Sequence, residues 1–235
     1  MPRGYSFRPR AWPWLLAAAA CAGGIALGNW QSGRAEQKRA AGARYEQALR
    51  SPALELAWPV RKEDALGRRV AARGTFDAAH TVLLDNRILN GRAGYEVVTP
   101  LKLSAGPGNV LVERGWVAAG ASRARLPEFA TPAGEVRIEG LAVERLPHAL
   151  STGAAEHGRV RQNLDLAAFA AESRLELAPL VLEQLSGPAD GLLRERPRPD
   201  FGVDMHRAYA LQWYSLAVLA VLLAVVFSFK RVQAR

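Results

Sequence analysis

His206 is the side chain whose type and setting most suggest chemistry, in the stretch HRAYALQW near the end of this 235-residue chain. On a helix, His206, Tyr209, Ala210 and Trp213 fall at i, i+3, i+4 and i+7, one face over two turns. Trp213 is then ~10 Å further along the axis than His206. A histidine at the mouth of an apolar run can titrate, ligate a metal or simply anchor at an interface. A nitrogen ligand above a flat aromatic also matches the footprint of a porphyrin, whose iron takes an axial histidine. Trp30 lies at a comparable depth at the end of an earlier apolar run. Arg34 and Arg207 stand where the acidic groups of such a ring could meet cations. Tryptophan and tyrosine belts with basic flanks are equally routine at membrane interfaces, so spacing alone leaves both readings open.

The elements that must position this face are two apolar runs. Ala208 to Phe229 has 22 residues without a charge, enough to cross a bilayer as a helix, and Lys230 and Arg231 stop it. Ala11 to Asn29 has 19 uncharged residues bracketed by Arg8, Arg10 and Arg34. Its basic start and small residues also suit a signal peptide, but Trp12, Trp14 and Trp30 at its ends argue for a retained span. Two spans put both tails on one side and Gln31 to Met205 on the other. The short basic tails favour the cytoplasm, with the intervening domain outside.

The net charge of +9 does not mark a nucleic-acid surface. All 22 acidic residues lie between Gln31 and Met205 with 24 of the 31 lysines and arginines, so that segment is nearly neutral. The excess flanks the spans. The single cysteine, Cys21, lies inside the first run, leaving the intervening segment without disulfide or thiol chemistry.

Residues 31–50 are rich in Ala, Glu, Gln and Arg and extend the first span as a helical stalk, ended at Ser51-Pro52. From Gly67 the pattern turns to β-branched alternation. RRVAARGTF, TVLLDNRIL, YEVVTPLKL, NVLVERGWV and EVRIEGLAV read as strands, with Asn90-Gly91, Gly106-Pro107-Gly108 and Ala133-Gly134 as hairpin connections. Asp165 to Ser173 has the period of a short helix with Asp165 at its start. LELAPLVLEQL reads as a further strand interrupted at Pro179. The expected class is an integral membrane α+β protein, two transmembrane helices flanking an antiparallel, barrel-like β domain outside the cytoplasm. The expected divisions are a tail at 1–10, a span at 11–30, the stalk at 31–50, the β-rich domain at 51–186, an extended return at 187–205, a span at 206–229 and a tail at 230–235.

Enzyme signatures are missing from the sequence. It has no phosphate-cradling G-x-x-x-x-G-K-[ST], no G-x-G-x-x-G after a strand, no H-E-x-x-H, no G-x-S-x-G and no C-x-x-C-H. His80, His148 and His157 are scattered over loops without ligand spacing, and a copper carrier would need clustered Cys, Met or His.

Four stretches in order resemble the Surfeit locus protein 1 family of cytochrome c oxidase assembly factors. Leu27-Gly28-Asn29-Trp30-Gln31-Ser32-Gly33-Arg34, followed by Lys38, is similar to L-G-x-W-Q-x-x-R-x-x-x-K at the end of that family's first helix. Asp85-Asn86-Arg87, then Gly94-Tyr95 and Thr99-Pro100, resembles its first central block, and Val112-Glu113-Arg114-Gly115-Trp116-Val117 resembles V-x-R-G-[WF]-V. His206-Arg207-Ala208-Tyr209-Ala210-Leu211-Gln212-Trp213-Tyr214 is similar to H-x-x-Y-A-x-x-W-[FY] of the second helix. One departure is Asp204, two residues before the histidine, where many members carry asparagine.

The resemblance implies a bacterial inner-membrane protein with a periplasmic domain and no catalytic activity. It further implies that the protein helps equip the catalytic subunit of heme-copper oxidase with heme a. It makes His206 the heme iron ligand and Trp213 a further contact; the helical spacing adds Tyr209 on the same face, with Arg34 and Arg207 as candidate propionate or docking contacts. The implied partners are the oxidase catalytic subunit and heme a synthase. The alternative is a structural chaperone of an oxidase intermediate that never holds heme. Arg87, Tyr95, Arg114 and Trp116 either pack and fix turns or offer a docking surface.

Overall fold

A computed structural model of the protein describes residues 5–120, 125–148, 158–195 and 202–231. The chain forms two compact units, residues 45–198 and a pairing of 1–44 with 199–235.

The larger unit is a closed β-barrel. Its strands are β2 (Leu54–Glu55), β3 (Arg69–Phe76), β4 (Val82–Leu89), β5 (Arg92–Leu103), β6 (Asn109–Ala118), β7 (Glu135–Val143), β8 (Val160–Arg161) and β9 (Leu177–Ser186). Neighbours run β2-β3-β7-β9-β6-β5-β4-β8, and β3 also pairs with β5, closing a ring of five: β3, β7, β9, β6 and β5. Closure leaves those strands few free edges. The barrel expected from sequence is therefore present, with parallel β6–β9 the exception to its antiparallel ring. Val70, Leu101, Val110, Val112, Ile138 and Leu182 fill the interior. A second cluster, including Val82, Leu84, Val98, Leu111 and Val181, is covered by Phe169 from α3 (Leu166–Ser173). Asp165 caps α3 by accepting the Ala168 N–H at 2.8 Å.

Two sequence expectations need correction. Ala133-Gly134 is not a hairpin connection, because β6 and β7 are not neighbours and β9 lies between them. Pro179 does not interrupt its strand, since β9 runs through it. The proline lies where the β6–β9 register shifts, between Asn109↔Leu177 and Leu111↔Val181, a site that tolerates a missing N–H. Asn90-Gly91 does make the tight β4–β5 turn, with both residues at positive φ (49° and 76°) as a type I′ turn requires.

In the smaller unit, α1 (Ala11–Arg50) begins in the first apolar run, and α4 (Val203–Ser228) contains most of the second. Both are long and apolar enough to cross a membrane, and their large apolar side chains, such as Leu15, Leu16, Leu219 and Phe227, are exposed. A helix apolar all round yet uncovered by protein suits lipid. Beyond the helices, β1 (Tyr5–Phe7) pairs antiparallel with β10 (Phe229–Arg231), so the two tails form a short ribbon with Phe7 edge-on to Phe229. Of the return segment expected at 187–205, residues 196–201 lie outside the described residues.

Candidate functional site

The first and last matched blocks meet between α1 and α4. The helices approach through small residues: Ala17, Gly24, Gly28 and Ala35 are buried on α1, and Ala210, Ala217, Ala224 and Ser228 on α4. A Cβ on Gly24 would stand 2.9 Å from the Trp213 carbonyl oxygen and 3.0 Å from the Ala217 Cβ. One on Gly28 would overlap the Tyr214 ring. Gly24-x-x-x-Gly28 is therefore a close-approach surface, the usual way for two helices to pack in lipid. Trp14 donates to the Ser228 hydroxyl at 3.1 Å near the opposite end of the pair.

That approach sets a polar cluster at the mouth of α4. Tyr214 donates its hydroxyl to Asn29 Oδ1 at 2.8 Å, and the Ser32 hydroxyl lies 3.3 Å from the same phenol oxygen. His206 Nδ1 lies 2.7 Å from Gln31 Oε1. An amide oxygen only accepts, so with Oε1 facing the ring the proton of this bond lies on Nδ1. In neutral imidazole Nε2 is then the unprotonated nitrogen, and it has no hydrogen-bond partner among the described residues. A histidine held through one nitrogen by a carbonyl, with a lone pair on the other, is the arrangement found in metal-ligating histidines.

Of the other expected site residues, Trp213 is half-buried and Tyr209 is 48% exposed. Ala210, in the middle of the same predicted face, is buried in the small-residue seam, so part of that face serves packing. Trp30 is 58% exposed. Arg34 and Arg207 are exposed and engage their own helices, Arg34 donating to Gln37 at 3.1 Å and Arg207 standing 3.7 Å from Asp204. Neither side chain bonds His206. Gln31, Asn29 and Tyr214 lie within the quoted blocks but were not assigned as partners. The small-residue spacing on α1 was the signal that could have aligned them.

The central blocks meet separately, inside the barrel unit. The β5–β6 register places Val98 opposite Glu113 and Val97 opposite Gly115, which leaves Arg114 as the extra residue of a bulge. Gly115, at φ 146°, supplies backbone that side-chain-bearing residues rarely adopt, and the Leu193 carbonyl would stand 2.7 Å from any Cβ there. The bulge turns Arg114 into full burial. Its guanidinium donates to Thr131 at 2.9 Å, to the Ala130 carbonyl at 2.6 Å and to Asp190 at 2.8 Å, and lies 4.7 Å from the Phe76 ring centroid. Burial pulls its pKa below the ordinary arginine value, opposed by the hydrogen bond and charge of Asp190. Trp116 donates to the Arg87 carbonyl at 2.9 Å, and Arg87 pairs with Glu96 at 2.9 Å and donates to the Pro147 and Gln162 carbonyls. Tyr95 is buried. These four residues are engaged in packing and turn-fixing.

His80 is paired with Asp77 at 2.7 Å, His148 is exposed, and His157 lies outside the described residues. Among the described residues no three or more His, Cys, Asp or Glu side chains converge as a bare metal ion would need.

The SURF1 family model matches residues 16–218, from within α1 to within α4. The chain belongs to the SURF1 family. SURF1-like proteins of Mycobacterium bovis and Mycobacterium tuberculosis are each 25% identical over 222 residues, covering 89% of this chain and 79% of theirs. Their names carry no activity beyond the likeness. The family match takes in Gln31 and His206 together with the bulge at Arg114.

Proposed function

We propose that this SURF1 family member is a non-catalytic assembly factor of heme-copper cytochrome c oxidase. In this reading it carries heme a on His206 and assists its insertion into the catalytic subunit, with heme a synthase as a further partner. The observation that carries the reading is the His206–Gln31 bond at 2.7 Å, which leaves Nε2 without a hydrogen-bond partner among the described residues, at the polar end of an apolar helix. The donor set fits a porphyrin iron better than a bare ion: one imidazole nitrogen, with Tyr209 and half-buried Trp213 further along the same helix. The bound group would supply the iron to be delivered. Gln31 and His206 would hold the ligand nitrogen, Tyr209 and Trp213 would offer aromatic surface on the same helix, and exposed Arg34 and Arg207 would be available to its acidic substituents. A single protein ligand suits a carrier that must release its cargo.

The short basic tails support their placement in the cytoplasm of a bacterial inner membrane, with the barrel in the periplasm. A second reading rests on the same bond: His206 tied to Gln31 also links the two helices, as a purely structural chaperone would need. Co-expression with heme a biosynthesis, followed by purification and absorption spectroscopy, separates the two. The carrier reading expects a heme spectrum in the wild type and its loss in His206→Ala, with membrane insertion unchanged. A colourless wild type under these conditions leaves the structural reading.

A further inference from the structure

We infer that Gln31 is the positioning residue for His206. Resting on the heme-carrier reading, its amide oxygen selects the Nδ1–H tautomer and thereby presents Nε2 as the ligand nitrogen. The first argument is chemical. The 2.7 Å contact pairs Nδ1 with the Gln31 amide oxygen, which has no hydrogen to give, so with the amide in this orientation the proton of the bond lies on Nδ1. Neutral imidazole in water favours the opposite tautomer, in which Nε2 bears the proton and cannot ligate. Without Gln31 the ring would have to pay for that switch before meeting iron.

The second argument is architectural. Gln31 is half-buried, and its helix is registered against α4 by contacts that do not involve His206: Gly24 on Ala217, Gly28 on the Tyr214 ring, and the Tyr214 hydroxyl on Asn29. The acceptor is thus held by a separate set of contacts, as a residue orienting a ligand must be. The same separation means that a change at Gln31 need not open the helix pair. Gln31 also has no charge, so it polarises the Nδ1–H less than a carboxylate would. The ligand is then a weaker donor to iron, which suits transfer.

The test uses the full-length protein in detergent, wild type beside Gln31→Leu and Gln31→Glu. Two measurements are made: NMR of labelled histidine ring nitrogens without heme, and hemin titration followed by redox potentiometry. In the wild type, His206 should show a protonated Nδ1 and a bare Nε2. Gln31→Leu should lose that preference and bind hemin roughly 10–100-fold more weakly, the usual cost of removing a partner behind a metal ligand. Gln31→Glu should restore the tautomer and binding while lowering the midpoint potential, because a carboxylate makes the ring more electron-donating. Identical ring-nitrogen signals in wild type and Gln31→Leu overturn the inference, as does a Gln31→Glu protein that binds hemin with an unchanged potential. A wild type that binds no heme removes the carrier reading and with it the ligand role of His206. A tautomer that still follows Gln31 in that case marks the failure as that of the carrier reading, with the positioning of the ring intact.

Discussion

Arg114 and His206 are both polar side chains set by a matched block into apolar surroundings, and they are used in opposite ways. Arg114 is fully buried, and Thr131, the Ala130 carbonyl and Asp190 take up its guanidinium edges while Phe76 covers a face. Arg194 adds a second cation on Asp190 at 2.6 Å. His206 is half-buried, bonds Gln31 through one ring nitrogen, and its other nitrogen has no hydrogen-bond partner among the described residues. The difference shows where chemistry can occur. A buried group whose two terminal nitrogens are both bonded by its own fold, as in Arg114, stabilises that fold, whereas one held through a single ring nitrogen presents its other nitrogen to a ligand.

Substitutions at four positions would break or sharpen this contrast. The largest effect is expected from Arg114→Leu, which leaves buried Asp190 with Arg194 as its one remaining cation among the described residues and frees Thr131 and the Ala130 carbonyl. Breaking such a buried pair costs about 3–5 kcal/mol. Arg114→Lys should recover little, since one ammonium cannot reach three separated acceptors. Thermal unfolding of the full-length protein measures both, and wild-type stability in Arg114→Leu would remove the contrast. His206→Ala, by comparison, should lower stability by no more than about 1 kcal/mol, the worth of one hydrogen bond.

The next effect concerns the helix pair. Gly28→Val drives a branched side chain into the Tyr214 ring, an overpacking expected to cost about 1–3 kcal/mol. Hydrogen exchange should quicken in α1 and α4 and stay unchanged in the barrel strands; equal protection throughout would mean that the small-residue seam does not hold the hairpin.

The smallest effect concerns a partly buried carboxylate on the barrel unit. Glu139 pairs with Arg137 at 2.6 Å and with Arg69 at 2.5 Å on the barrel's outer face. Hydrogen bonds from Arg137 and then Arg69, reinforced by their charges, hold its carboxyl below the usual carboxylate range. A carboxyl depressed in the folded state stabilises it above the unfolded value, and that contribution fades as pH falls through the depressed one. Glu139→Gln should therefore change the melting temperature only slightly at neutral pH and flatten its decline on acidification. An equally steep decline in the variant would assign the acid sensitivity elsewhere.

Much of the fold was legible because its signals are local. Apolar length announced α1 and α4, alternation announced the strands, and Asp165 announced the start of α3. Where two non-local features met, sequence reading failed. Pro179 looked like a break because its tolerance depends on the register shift with β6, and Ala133-Gly134 looked like a hairpin because β9 comes between β6 and β7 only in three dimensions.

The same division holds at the candidate site. By itself the sequence determined that His206, Tyr209 and Trp213 share a helix at the end of an apolar run, and that Asn29, Gln31 and Ser32 end another. Helical period and hydropathy need only neighbours along the chain. Tertiary structure alone decided that Gln31 and His206, 175 residues apart, are bonded through Nδ1, and that a bulge turns Arg114 inward. Those outcomes depend on how closely glycine lets two helices approach and on which strand supplies the extra residue, quantities that no local pattern carries.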